Sequence, residues 1–187
     1  MNKSVTGVLL LICSGALTAA PQEVVPGGVQ IEDADTLLVE VAGVSYRVQL
    51  PDIDAPENTA NPKLQRDIER TGLDAEALLA LGRRADEGLR DLLRDFAPYQ
   101  LHFDPDNRDR YGRVPGELVN AAGQQLSLRL VEEGYAVPVV NTDPLRQAAL
   151  DAAASAARAG GRGLWGTQSD NFARWAQPAG GTAVRGS

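Results

Sequence analysis

Two carboxylates stand three residues apart in Ile53-Asp54-Ala55-Pro56-Glu57. Pro56 has a fixed φ, so it stops a strand and stiffens the turn that carries both acids. On such a turn one carboxylate can hold a hard cation while the other activates a water. A solvated acidic loop has the same composition, so the neighbouring segments have to decide.

The segments that position this turn are legible from their periodicity. Tyr46, Val48 and Leu50 alternate with Arg47 and Gln49, which is strand spacing. The preceding apolar run, residues 31–41, is interrupted by Asp33 and Asp35, and Ala42-Gly43-Val44 reads as a hairpin turn. Asp35 then opens one strand and Asp54 closes the next. In an antiparallel hairpin those two places approach each other, so the acids converge.

The rest of the chain supplies a scaffold. Residues 58–62 are polar and turn-rich, and 63–72 reads as a loop or short helix. From Ala75, Leu78, Leu81, Ala85, Leu89, Leu92 and Phe96 recur at helical spacing. Arg83, Arg84, Arg90 and Arg94 fall mostly on other faces and read as solvated. Gly82 and Gly88 each cost that helix about 1 kcal/mol relative to alanine. Strands are expected at 99–103 and 114–119, with a polar loop between them. His102, the only histidine, has no second histidine or cysteine nearby and reads as structural. A helix is expected over 126–133, closed by Gly134 at a position that needs positive φ. Another opens with Asp143 as N-cap and Pro144 at its first position. Leu145, Ala149, Ala152, Ala156 and Ala159 line one face of it, and Gly160-Gly161 ends it. Leu164 and Trp165 read as core plugs.

Composition bounds the setting. At 187 residues and 43% apolar content, the chain suits one domain with extensions. Residues 1–20 read as a secretory signal peptide, with Lys3 before an apolar run too short to span a membrane. The expected location is secreted or periplasmic, with no transmembrane helix after cleavage. Cys13 is the only cysteine, and Ile12 before it argues against a lipoprotein signal. Residues 176–187, rich in Gly, Pro, Thr and Ser, read as a disordered tail. A net charge of −7 excludes a broadly basic surface, so any polyanion must be met by a local cluster of arginines. No repeat, zinc-ligand spacing or phosphate-binding glycine loop competes.

Five motifs occur in order: Asp33-Ala34-Asp35-Thr36, Ile53-Asp54-Ala55-Pro56-Glu57, Asp109-Arg110-Tyr111-Gly112-Arg113, Leu130-Val131-Glu132-Glu133-Gly134-Tyr135-Ala136, and Arg162-Gly163-Leu164-Trp165. Together they resemble a staphylococcal-nuclease-like domain, the thermonuclease family, over residues 24–167. The resemblance implies an α+β fold: an OB-type five-stranded β-barrel with about three packed helices. It implies metal-dependent hydrolysis of phosphodiesters in DNA and RNA, with single-stranded nucleic acid as substrate and no stable protein partner. Asp35 and Asp54 would hold Ca2+ with the carbonyl of Ala55, and Thr36 would lie near the metal. Glu57 would position or deprotonate the attacking water. Arg113 would fork onto the phosphate, with Tyr111 beside the nucleotide and Arg110 and Arg47 as further substrate-side cations.

Three departures from the family pattern stand out. Gln49 occupies the place of a second phosphate-binding arginine. Arg47 lies two residues earlier on the same strand face, about 7 Å away along the backbone. Ala34 replaces a customary glycine, and residues 58–72 form a longer connection than in compact relatives. The expected function is a secreted, calcium-dependent phosphodiesterase with little sequence specificity, slowed by Gln49. The alternative is a weak or inactive binding module on the same fold.

Overall fold

The computed structural model describes residues 20–24 and 27–177. The expected signal peptide, apart from Ala20, and the expected tail, apart from Ala176 and Gln177, lie outside the described residues.

Eight strands and six helices are described. The strands are β1 (Gln22–Glu23), β2 (Val29–Asp33), β3 (Thr36–Val41), β4 (Val44–Gln49), β5 (Ile53–Asp54), β6 (Tyr99–Phe103), β7 (Val114–Asn120) and β8 (Val137–Pro138). The helices are α1 (Pro62–Thr71), α2 (Ala75–Phe96), α3 (Leu126–Glu132), α4 (Pro144–Ala159), α5 (Leu164–Thr167) and α6 (Ser169–Trp175). The main sheet runs β1-β6-β7-β4-β3-β2, and β5 pairs with β8 in a separate two-stranded ribbon. Among the described residues the outer strands β1 and β2 do not pair with each other. The architecture is therefore the α+β mixture expected of the family, but the sheet has six strands and does not close into the expected five-stranded barrel.

The β3–β4 hairpin turns at Ala42-Gly43, where both residues take positive φ, 51° and 78°. That is the turn geometry whose twist matches the flanking strands. Ala34 does not take positive φ and is fully buried, so alanine in place of glycine introduces no backbone strain there. Leu37, Val39 and Val48 line the inner face with Leu101, Val114 and Leu118. Helix α2 covers them with Leu78, Leu81, Ala85 and Leu89, as its spacing predicts. Each such leucine contributes roughly 1.5–3 kcal/mol relative to exposure.

Of the two readings left open for the 63–72 stretch, loop or short helix, the helix is found: α1 is capped by Asn61, whose side chain accepts from the backbone N–H of Lys63 and Leu64 at 2.9 Å. Gly72 closes it at φ 65°. Helix α4 begins and ends where expected, but the opposite face turns inward. Leu145 is 84% exposed, while Leu150 and Ala157 are buried.

Candidate active site

Strand pairing alone brings the first group of candidates together. Thr36 on β3 pairs with Gln49 on β4. Gln49 pairs with Pro115 on β7, which runs parallel to β4. Asp35, Gln49 and Arg113 therefore stand at the same end of three neighbouring strands. The β5–β8 ribbon fixes Asp54 opposite Val137. These ends border a cleft of about 550 Å³ lined by Asp33, Asp35, Arg47, Gln49, Asp54, Glu57, Lys63, Arg66, Tyr111, Arg113 and Val139, among others.

The acidic wall is tightly partnered. Asp35 Oδ1 accepts from Gln49 Nε2 at 2.9 Å and from Thr36 Oγ1 at 3.0 Å. Its Oδ2 accepts from the Ala55 N–H at 2.9 Å. Thus Asp35 ties the start of β3 to the Asp54–Glu57 turn. On that turn, Asp54 Oδ1, the Ala55 carbonyl and Glu57 Oε1 converge on the Lys63 ammonium at 2.8, 2.8 and 2.7 Å. Glu57 Oε2 accepts from the Asn61 amide. Burial pushes the Asp54 carboxyl above its usual range, against the pull of Lys63. Burial also opposes the charge on Lys63, but Asp54, Asp35 and Glu57 outweigh it and raise its pKa above the usual lysine value. Burial, reinforced by Asp35 and Glu57, pushes the Asp33 carboxyl up to about 8.

The cationic wall is organised by Asp109. Its Oδ2 accepts from Arg113 Nε at 2.8 Å, and its Oδ1 from the Arg113 and Tyr111 N–H groups at 2.9 and 2.8 Å. Desolvation is outweighed here, and these bonds hold the Asp109 carboxyl below its usual range. The other end of the Arg113 guanidinium donates to Gln49 Oε1. Tyr111 is 58% exposed, with the Arg110 and Arg113 guanidinium carbons 4.7 and 5.5 Å from its ring centroid. That is an open aromatic face flanked by cations, suited to a stacked base.

Asp35, Gln49, Asp54, Glu57, Tyr111, Arg113 and Arg47 share the cleft. Thr36 and Ala55 lie buried behind its wall. Arg110 reaches the cleft only through its stack on Tyr111. Arg47 is held by Glu32, to which its Nε donates at 2.6 Å, so it is not directed at the place left by Gln49. His102 is exposed on β6, away from the cleft. Sequence reasoning missed Lys63, Asn61 and Arg66. The pair Asn61-Pro62 was the available signal, an N-cap followed by an N1 proline, which sets Lys63 in the first turn of α1 facing the acids.

Among the described residues, no three His, Cys, Asp or Glu side chains form a ready metal cage. The donor set nonetheless suits a hard divalent cation. Two of the expected ligands, the Asp54 carboxylate and the Ala55 carbonyl, meet the Glu57 carboxylate at one point, every donor is oxygen, and a cation already stands there in the form of the ammonium.

A family described as staphylococcal nuclease homologue matches residues 47–167. Endonuclease YhcR of Bacillus subtilis (strain 168) is 28% identical over 143 residues, which cover 73% of this chain and 11% of that protein. The chain thus corresponds to a small part of YhcR. Succinoglycan biosynthesis protein ExoI of Rhizobium meliloti (strain 1021) is 30% identical over 153 residues, 82% of this chain and 71% of that protein.

Proposed function

The chain belongs to the staphylococcal nuclease family, and from that premise we propose that it is an exported, calcium-dependent phosphodiesterase cleaving DNA and RNA with little sequence preference. One observation carries the reading: Asp35, Asp54 and Glu57 share a single cleft with Arg113 and the open ring of Tyr111. An endonuclease among the relatives supports hydrolysis of nucleic acid. The leader pattern at the N-terminus supports export.

Asp35, Asp54 and the Ala55 carbonyl would hold the ion, with Thr36 behind Asp35. Bound there, calcium supplies a Lewis acid that polarises a phosphoryl oxygen and offsets its charge. The chain's own groups do the rest. Glu57 accepts a proton from the attacking water, and its low exposure keeps competing solvent away from the carboxylate. Arg113, oriented by Asp109, forks onto the phosphate oxygens as negative charge builds. Tyr111 and Arg110 offer a stacking face to a base splayed out of a single strand, without reading its edges. Gln49 stands beside Arg113 as a neutral amide, so one positive charge at the phosphate is absent. Losing a transition-state donor costs about a hundred- to a thousandfold, so turnover is slow.

Two variants test the assignment in one experiment on single-stranded DNA. Glu57→Gln should lower kcat at least about a hundredfold while calcium binding stays measurable. Gln49→Arg should raise kcat about tenfold or more. An unchanged rate in the first variant would remove Glu57 as the base. An unchanged rate in the second would remove Gln49 as the cause of slow turnover.

A further inference from the structure

We propose that Lys63 is a tethered cation seated where the ion would lie, on two of its proposed ligands, Asp54 and the Ala55 carbonyl, and on the base Glu57, so that calcium loads by displacing an ammonium. The inference rests on the calcium-dependent reading above and adds a competitor to it.

The geometry is that of a cation site rather than a surface ion pair. An ammonium has three N–H donors. At Lys63 three oxygens lie 2.7–2.8 Å from the ammonium, a carbonyl that accepts a hydrogen bond and two different carboxylates in ion pairs. Surface pairs hold a cation loosely by one carboxylate and contribute little. Here the Glu57 side chain is only 8% exposed.

The fold aims Lys63 at this seat. Asn61 accepts from the Lys63 N–H, which fixes the backbone at the start of α1. One turn further on, Asp67 Oδ2 accepts from the Trp175 indole at 2.9 Å, and Arg70 donates to the Trp175 carbonyl at 2.8 Å. Helix α6 therefore clamps α1, and the lysine is delivered from a fixed base on a flexible four-carbon stem. A stem of that kind can swing out when an ion arrives, whereas a backbone group cannot.

Displacement has a consequence for the base. With Lys63 seated, Glu57 has Oε1 on the ammonium and Oε2 on Asn61. Both oxygens are engaged, and neither is free to take a proton from water. Release of Lys63 frees Oε1, so ion loading and exposure of the base become one event. The same contact supplies a counter-charge to Asp54 and Glu57 before any ion arrives, so the turn is stable without metal.

The test uses the whole chain with Lys63→Met, which keeps the stem and removes the charge, and Lys63→Gln alongside it in case the methionine variant does not fold. Calcium binding is measured by titration calorimetry, and melting midpoints are taken in chelator and in excess calcium. The expected result has three parts: calcium affinity at least about tenfold tighter than in the unaltered chain, a lower midpoint in chelator, and a larger rise on adding calcium. Affinity equal to or weaker than that of the unaltered chain would overturn the inference and leave the calcium reading standing. No heat of calcium binding from any of the folded proteins would overturn both.

Discussion

At the scale of single residues the site is a problem in crowded negative charge. Asp33 sits within the acidic wall but makes only one local bond, accepting from the Asp35 N–H at 3.1 Å. Burial first, then Asp35 and Glu57, push its carboxyl up to about 8. A carboxyl whose folded pKa lies above its unfolded value favours folding while protonated. That contribution is fully present below the unfolded pKa, near 4, and is lost as pH rises through about 8. Melting midpoints in chelator should therefore fall as pH rises, and Asp33→Asn should flatten the fall between about pH 4 and 8. Equal slopes in the two proteins would contradict this charge assignment. The acids were readable in the sequence because Asp35, Asp54 and Glu57 sit in compact motifs. Lys63 was not, since a lone lysine in a charged helix carries no motif. Its significance comes from a helix cap and from a contact with residues six to nine positions back.

At the scale of elements, the glycines of α2 explain how the acidic turn is held. In sequence, Gly82 and Gly88 look like weak points in an otherwise strong helix. In the structure a Cβ at Gly82 would collide with the Glu57 carbonyl, and one at Gly88 with the Tyr135 ring. The bare backbone at Gly82 lets α2 lie directly against the turn that carries Glu57. Gly82→Ala should cost about 1–3 kcal/mol by overpacking and lower the cleavage rate about tenfold or more by shifting Glu57. A stable, fully active variant would show that α2 does not position the turn. Helix α4 teaches the opposite lesson. Alanines on every face leave no clear stripe, and the inward side is marked by a charged residue. Arg146 reaches in to Ser127 Oγ at 2.6 Å, to Glu117 and to Asp52. Such a half-buried ion network ties α4, β7 and the 51–52 turn together, and no apolar periodicity announces it. Strands β4, β6 and β7 were legible because alternation is a stronger signal than an alanine-rich helix can give.

At the scale of the whole molecule, the proposed function asks an acidic chain to bind a polyanion. The net charge is −7, so long-range attraction to nucleic acid is absent. The positive charge that counts is local: Arg113 and Arg66 line the cleft, with Arg110 stacked at its rim. Binding through so few cations weakens as salt rises, with a slope set by their small number. No helix among the described residues is long and apolar enough to cross a membrane. The family match ends at residue 167, yet Phe172 and Trp175 of α6 are buried and α6 packs on both α1 and α2. The C-terminal helix is thus part of the support for the site, through α1 and Lys63. The open sheet order was not legible, because closure depends on pairings between distant strand edges rather than on local pattern.

The most direct test is hydrolysis of single-stranded DNA by residues 21–187 at low salt, first with calcium and then with a chelator. Cleavage that requires calcium, and that falls as salt is raised, is the expected result. A folded protein that binds calcium and cleaves nothing in either condition would contradict the hydrolase reading and leave a binding module on a nuclease fold.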